Sequence, residues 1–259
     1  MGDHRRDSSV STTTATGEFV ESRDRRPGDD DVLRSFGGKV TGGSFSCVAA
    51  KTAWRRGTIV HRHYGVMGDE GTTETLHADL AGFAGRKDEI DLLLASFVAT
   101  FDGPAELSEM EFEEELWHQL QRLHDLDSDL CAWSDEVDPD PSSPRFGFSV
   151  GGHPFFVVGL HPNAERITRR FPFPALAFNS HVQFERLKER GIYQRLQQET
   201  RAREIEIQGS VNPNLAEFGE FSEAAQYSGR AVDAGWKCPF RPHAEMTGRH
   251  AGMTEGAVR

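Results

Sequence analysis

Gly151-Gly152-His153-Pro154-Phe155-Phe156-Val157-Val158-Gly159-Leu160-His161-Pro162-Asn163 is the stretch on which the fold turns. A run of Phe and Val bounded by Gly and Pro reads as a strand buried on both faces. Covered sheets expose reactive side chains just past the ends of their strands, which singles out His161 for attention. The flanking segments extend the pattern. Phe146 to Val150 and Ala175 to Phe178 read as further strands, with a short basic segment between the central strand and the last. Long helices follow from His181, broken near Gly191. Upstream, Asp135 to Pro144 combines acidic residues with prolines and reads as an exposed loop dividing a helical half from a mixed half.

In that helical half, Phe45 to Arg56 suits a helix stopped by Gly57. Thr58 to Tyr64 alternates His61 and His63 against Val60, Arg62 and Tyr64, which suits an edge strand. Thr72 to Ala84 and Lys87 to Thr100 carry helical spacing. Ser108 and Glu111 form a capping-box pattern ahead of Phe112, Leu116, Leu120 and Leu123. The order of elements predicts an α+β or α/β fold: one mixed domain, with a small central sheet covered by helices. Residues 1–31 and 241–259 lack periodic apolar positions and are expected to be mobile, disordered tails flanking a folded domain at 32–240.

With 259 residues and 37% hydrophobic content the chain can bury a sizeable core. No stretch reaches the length of apolar sequence that a membrane helix needs, and no secretory signal precedes residue 31. Three widely spaced cysteines, Cys47, Cys131 and Cys238, argue against a disulfide framework and for a reducing cytoplasm. A net charge of -12 disfavours nucleic acid as a partner. Nucleophile-elbow, P-loop and dinucleotide-binding signatures are absent; Phe36-Gly37-Gly38 and Gly42-Gly43 read as merely flexible.

Eleven histidines invite a metal reading. His61 and His63 share one face of a strand, as paired ligands would, but lack a third ligand at the usual spacing, and the polar face of an edge strand explains them better. His118 and His124 are about 240° apart around a helix. His153 and His161 are about 26 Å apart at strand rise. A single histidine can nonetheless ligate haem iron. Arg166, Arg169 and Arg170 form a cationic cluster suited to clamping a carboxylate or a haem propionate, or to lying as a solvated run. Gln208 to Asn214, with Ser210 and Asn212, either builds tight turns or orients a polar substrate; its composition favours the turn.

Taken in order, Phe156-Val157-Val158-Gly159-Leu160-His161-Pro162, Arg169-Arg170-Phe171-Pro172, Phe178-Asn179, Gln183-Phe184-Glu185, Gly209-Ser210-Val211-Asn212-Pro213, Gln226-Tyr227-Ser228-Gly229-Arg230 and Trp236-Lys237-Cys238-Pro239-Phe240 make the chain resemble the YqcI/YcgG family. The resemblance runs from about Phe45 to Phe240. It departs from the family pattern at Ser46-Cys47, where Pro-Cys is usual, and at Glu217, where Asp is usual. Members of this family include haem-dependent enzymes that hydroxylate a guanidino nitrogen of arginine or an arginine-derived amino acid in natural-product pathways. The resemblance therefore implies a cytoplasmic haem monooxygenase that uses heme b, dioxygen or peroxide, an electron donor and a guanidino amino acid. His161 is the expected iron ligand, with Cys238, His124 and His153 as alternatives; Arg166 and Arg170 are expected to hold haem carboxylates. Ser210, Asn212 and Glu217 are expected at the substrate, with Glu220 and Glu223 as further carboxylates for the guanidinium, all three Glu residues alternatively forming a solvated helical face. The competing expectation is a cofactor-free small-molecule binding protein.

Overall fold

The computed structural model describes residues 28–86, 88, 94–214 and 221–243. Five strands form one sheet in the order β1-β2-β5-β4-β3: β1 Ile59–Val66, β2 Ser96–Gly103, β3 Phe148–Val150, β4 His153–Leu160 and β5 Ala175–Ser180. Only β1 and β2 run parallel; the other neighbours are antiparallel. The parallel pair needs a long crossover, supplied in part by helix α3, Glu70–Ala84. The remaining helices are α1 Asp29–Thr41, α2 Val48–Arg56, α4 Glu109–Asp127, α5 His181–Glu189 and α6 Tyr193–Gln208. This mixed sheet covered by helices is an α+β domain.

The strand expected from the Phe and Val run is β4, second from one edge of the sheet, and its hairpin partner β3 follows from Gly151-Gly152. With Val150 paired to His153, those two residues alone form the loop, and both have positive φ, 59° and 69°, as a type I′ turn demands. On one sheet face Phe97, Phe101, Phe155, Val157 and Phe178 pack with Leu76, Leu80 and Phe83 of α3 and with Phe112, Leu116, Leu120 and Leu123 of α4. On the other, Val98, Leu160 and Ala175 meet Phe36 and Val40 of α1, with Ala50 and Trp54 of α2 beside them. Burial on both faces explains the nearly unbroken apolar strands. The α4 capping box forms as read, Ser108 accepting from Glu111 N and the Glu111 carboxylate accepting from Ser108 N.

Three expectations change. The helix expected over Lys87 to Thr100 is, at its C-terminal end, strand β2; residues 87 and 89–93 lie outside the described residues. Short apolar runs fit either period, and a central place in the sheet decides for the strand. Gly37 and Gly38 are not flexible linker but lie within α1, where a Cβ on Gly37 would stand 2.2 Å from the Trp54 ring; the glycine is the seat for that indole. The tail boundaries also move: α1 starts at Asp29, and Arg241 to His243 dock on α4, with Arg241 N donating to Gln121 Oε1 at 2.8 Å and His243 N to His124 Nε2 at 3.1 Å. No helix among the described residues is long and apolar enough to cross a membrane.

Candidate functional site

Beyond the point where short β3 ends, the exposed edge of β4 is met by the backbone of Tyr227, whose carbonyl accepts from Gly159 N at 2.7 Å. Arg169 secures this junction from inside the protein. Its guanidinium donates to the carbonyls of Gly159 and Tyr227 at 3.0 and 3.2 Å and to that of Gln226 at 3.1 Å. Burial lowers its pKa to about 10. Tyr227 closes a 3-10 turn, Glu223–Gln226, which is thereby pinned against the sheet.

That turn forms one wall of a cavity of about 250 Å³. Cys47 and Ala50 of α2, Phe156 and Val158 of β4, Asn179 of β5, Gln183 and Leu187 of α5, and Leu196, Thr200 and Arg201 of α6 complete much of the rest. Apolar walls with a few convergent polar groups are the usual make-up of a small-molecule site.

Glu223 is the charged group of the 3-10 wall and is only 4% exposed. Its Oε1 accepts from the Tyr227 hydroxyl and lies 3.0 Å from His181 Nε2. Oε2 is 2.9 Å from the same nitrogen but outside hydrogen-bonding geometry, so this buried oxygen keeps unused acceptor capacity. Burial raises the Glu223 carboxyl pKa, opposed by His181 and by the hydrogen bonds from His181 and Tyr227. Cys47 caps α2, Sγ accepting from Ala50 N at 3.5 Å. Desolvation raises its thiol, against the pull of the Ala50 and Ala49 N–H groups and the Arg169 charge.

Of the site residues singled out in the sequence, Glu223 lines the cavity and the other described ones lie outside its lining. His161 is 2% exposed and stacks on Phe112, with ring centroids 4.3 Å apart; its Nδ1 has no hydrogen-bond partner, and burial followed by the Arg169 charge lowers its pKa to about 4. It does not line the cavity. His153 Nε2 is engaged with Ser180 Oγ at 2.9 Å, and His124 is enclosed by Trp133, Phe240 and His243. Cys238 is a buried free thiol, pushed up to about 12 mainly by desolvation. The forks of the basic cluster are taken up locally. Arg166 binds the Glu204 carboxylate at 2.9 Å and the Ser210 carbonyl at 2.6 Å, while Arg170 binds the carbonyls of Ala164 and Glu165. Asn212 is buried in a turn, its Oδ1 accepting from Asn214 N at 3.0 Å, as the composition of that segment favoured. Glu217 and Glu220 lie outside the described residues. His61 and His63 do share a face, both against Thr100 Oγ1, and no cluster of three metal-ligating side chains occurs among the described residues.

The YqcI/YcgG family model matches residues 36–241. The chain belongs to the YqcI/YcgG family. A relative in this family, the uncharacterized protein YcgG of Bacillus subtilis (strain 168), is 28% identical over 207 residues, covering 76% of this chain and 81% of that protein. No solved structure matches.

The haem expectation can be set against the donor chemistry of the cavity. Of the side-chain kinds that ligate haem iron, its lining holds the Cys47 thiol and the Tyr193 phenol. The Cys47 sulfur at a helix N-terminus has donor chemistry that can hold iron, since iron deprotonates a coordinating thiol outright, whereas the cavity of about 250 Å³ has the volume of one amino-acid-sized ligand. Sequence reasoning did not single out Cys47 as a cavity-lining residue; the signal available was a cysteine at the N-cap position of a helix.

Proposed function

We propose that this chain is a haem-dependent monooxygenase that N-hydroxylates the guanidino group of arginine or an arginine-derived amino acid, working in the cavity between α2, α5, α6 and the Glu223 turn. The observation that carries the reading is Glu223, a buried carboxylate on the cavity wall with one oxygen lacking a hydrogen bond. A guanidinium is the planar, charged donor that satisfies such a group. Tyr227 and His181 engage Oε1, and Oε2, which has no hydrogen bond and lies 2.9 Å from the His181 ring, is the oxygen we assign to the substrate. Arg201, on the same lining, suits the α-carboxylate. The amides of Asn179, Gln183 and Gln226 add neutral donors and acceptors, and Phe156, Val158 and Leu187 exclude water.

Guanidinium binding favours the ionised form of Glu223 and so draws its raised pKa down. His181 fixes the carboxylate orientation from behind. Haem, when bound, supplies the oxidising power that no side chain has. Cys47 has the donor chemistry to hold it from the cavity wall, and the expected His161, whose buried Nδ1 has no hydrogen-bond partner, is the other candidate.

Haem titration followed by incubation with arginine, dioxygen and a reductant, or with peroxide, tests this. A Soret band displaced by Cys47→Ser and a product heavier by one oxygen atom are expected. Lack of oxygenation across arginine, hydroxyarginines, agmatine and related guanidines overturns it. A second reading, a cofactor-free binding protein, is favoured by the cavity volume of about 250 Å³, that of a single amino-acid-sized ligand. Calorimetric binding of arginine by a protein that takes up no haem would select it.

A further inference from the structure

A second cavity, of about 230 Å³, adjoins the first and shares Ala49, Leu94, Gln183, Leu187 and Leu196 with it. Among the described residues its charged lining is of one sign: Arg56 at the end of α2, Arg186 on α5, and Arg190 just past α5. No Asp or Glu among the described residues lines it, and none of the three guanidinium groups forms an ion pair with a described residue. This contrasts with cations nearby, where Lys188 pairs with Glu185 and Arg195 with Glu199, both at 2.9 Å.

The whole chain carries 41 acidic against 29 basic residues, so partners for arginine are abundant. Arg56 and Arg190 are exposed and Arg186 is half-buried, so solvent screens their mutual repulsion, and an oxyanion in the shared hollow is attracted by all three. Each fork can donate two parallel hydrogen bonds to an oxyanion. The apolar continuation through Leu187 and Leu196 into the first cavity leaves room for a nonpolar portion attached to that anion.

We propose that this arginine-lined cavity is an anion site for a small molecule bearing a multiply charged oxyanion, either a phosphate or paired carboxylates. The site is distinct from the guanidinium position at Glu223 and does not rest on it.

Calorimetric titration of the full chain at low ionic strength, with inorganic pyrophosphate in one arm and succinate in the other, tests the proposal. One saturable site per chain is expected for at least one probe, the preferred probe identifying the source of the charge. The triple substitution Arg56→Gln, Arg186→Gln, Arg190→Gln should weaken it at least about tenfold, with circular dichroism unchanged. Arg195→Gln, on an exposed arginine paired elsewhere on α6, should leave it intact. Absence of saturable binding to both probes, or equal weakening by Arg195→Gln, overturns the proposal. So does retention of full affinity in the triple variant. Arginine binding that survives the triple substitution but fails in Glu223→Gln separates the two sites; joint loss in the triple variant counts against a distinct anion site.

Discussion

His181 Nε2 lies 3.0 Å from Glu223 Oε1 in the interior, joining the first residue of α5 to a turn 42 residues further along the chain. Glu223 lines the cavity, and His181 behind it fixes the orientation of the one carboxylate among the described lining residues. Tyr227 completes the arrangement, and Arg169 holds the Tyr227 backbone in place.

Glu223→Gln preserves shape while removing the charge. Arginine affinity should fall by roughly tenfold or more, the contribution of a hydrogen bond to a charged group, in calorimetric titration. Because burial raises the wild-type carboxyl above 4.5, arginine affinity in wild type should climb with pH as Glu223 ionises, and the slope should vanish in the variant. The folded state, in turn, prefers the protonated carboxyl. Unliganded wild type should therefore lose stability relative to Glu223→Gln as pH rises above 4.5.

Two buried histidines give the opposite sign. His124 and His161 are both lowered from 6.5 to about 4, chiefly by burial. Below 6.5 the unfolded chain binds protons that the folded chain refuses, so stability is lost as pH falls from 6.5 towards 4. Urea midpoints measured across that window should decline. His161→Phe, which removes an unpartnered ring nitrogen while keeping a ring against Phe112, should flatten the decline. It should also leave any haem uptake unchanged, whereas loss of haem in this variant would return His161 to the iron.

Arg169→Met removes donors from three carbonyls at once. A cost of about 2–4 kcal/mol is expected in chemical denaturation. The more specific outcome is weakened arginine binding through a loosened Glu223 turn. Unchanged arginine affinity in a destabilised but folded variant would show that Arg169 does not position that turn.

Phe240 is 1% exposed and packs against the rings of Trp133, Phe146 and Phe148, while Trp236 Nε1 donates to Glu113 Oε1 at 2.9 Å. A chain ending before Trp236 should lose solubility, and Phe240→Ala alone should cost about 3–5 kcal/mol in urea unfolding. Ending the chain at Phe240 removes the Arg241–Gln121 and His243–His124 bonds but spares the aromatic cluster, so a smaller loss is expected.

Local patterns carried much of the fold. Ser108 with Glu111 announced α4, the Phe and Val run announced β4, and Gly57 and Gly191 marked helix ends where their φ values are 67° and 68°. These are properties of a few consecutive residues, legible because capping, alternation and left-handed backbone each leave a local signature. β2 was illegible for the converse reason: Phe97 to Phe101 is buried on both faces, which erases the alternation that separates strand from helix. The candidate site was less legible still. Glu223 was visible only as one acidic residue among several, and Cys47 only as part of a motif. The attractive chemistry at His161, Arg166 and Arg170 turned inward to an aromatic ring, a carboxylate and backbone carbonyls.

The sequence by itself determined the family, a mixed α+β or α/β class and many of the element positions, because these follow from short-range backbone preferences and from the order of apolar runs. Tertiary structure alone decided which charges are consumed internally and which face a cavity. That depends on residues distant in the chain, such as His181 with Glu223 and Arg169 with Gln226, whose meeting is set by how the helices and the C-terminal turn close over the sheet.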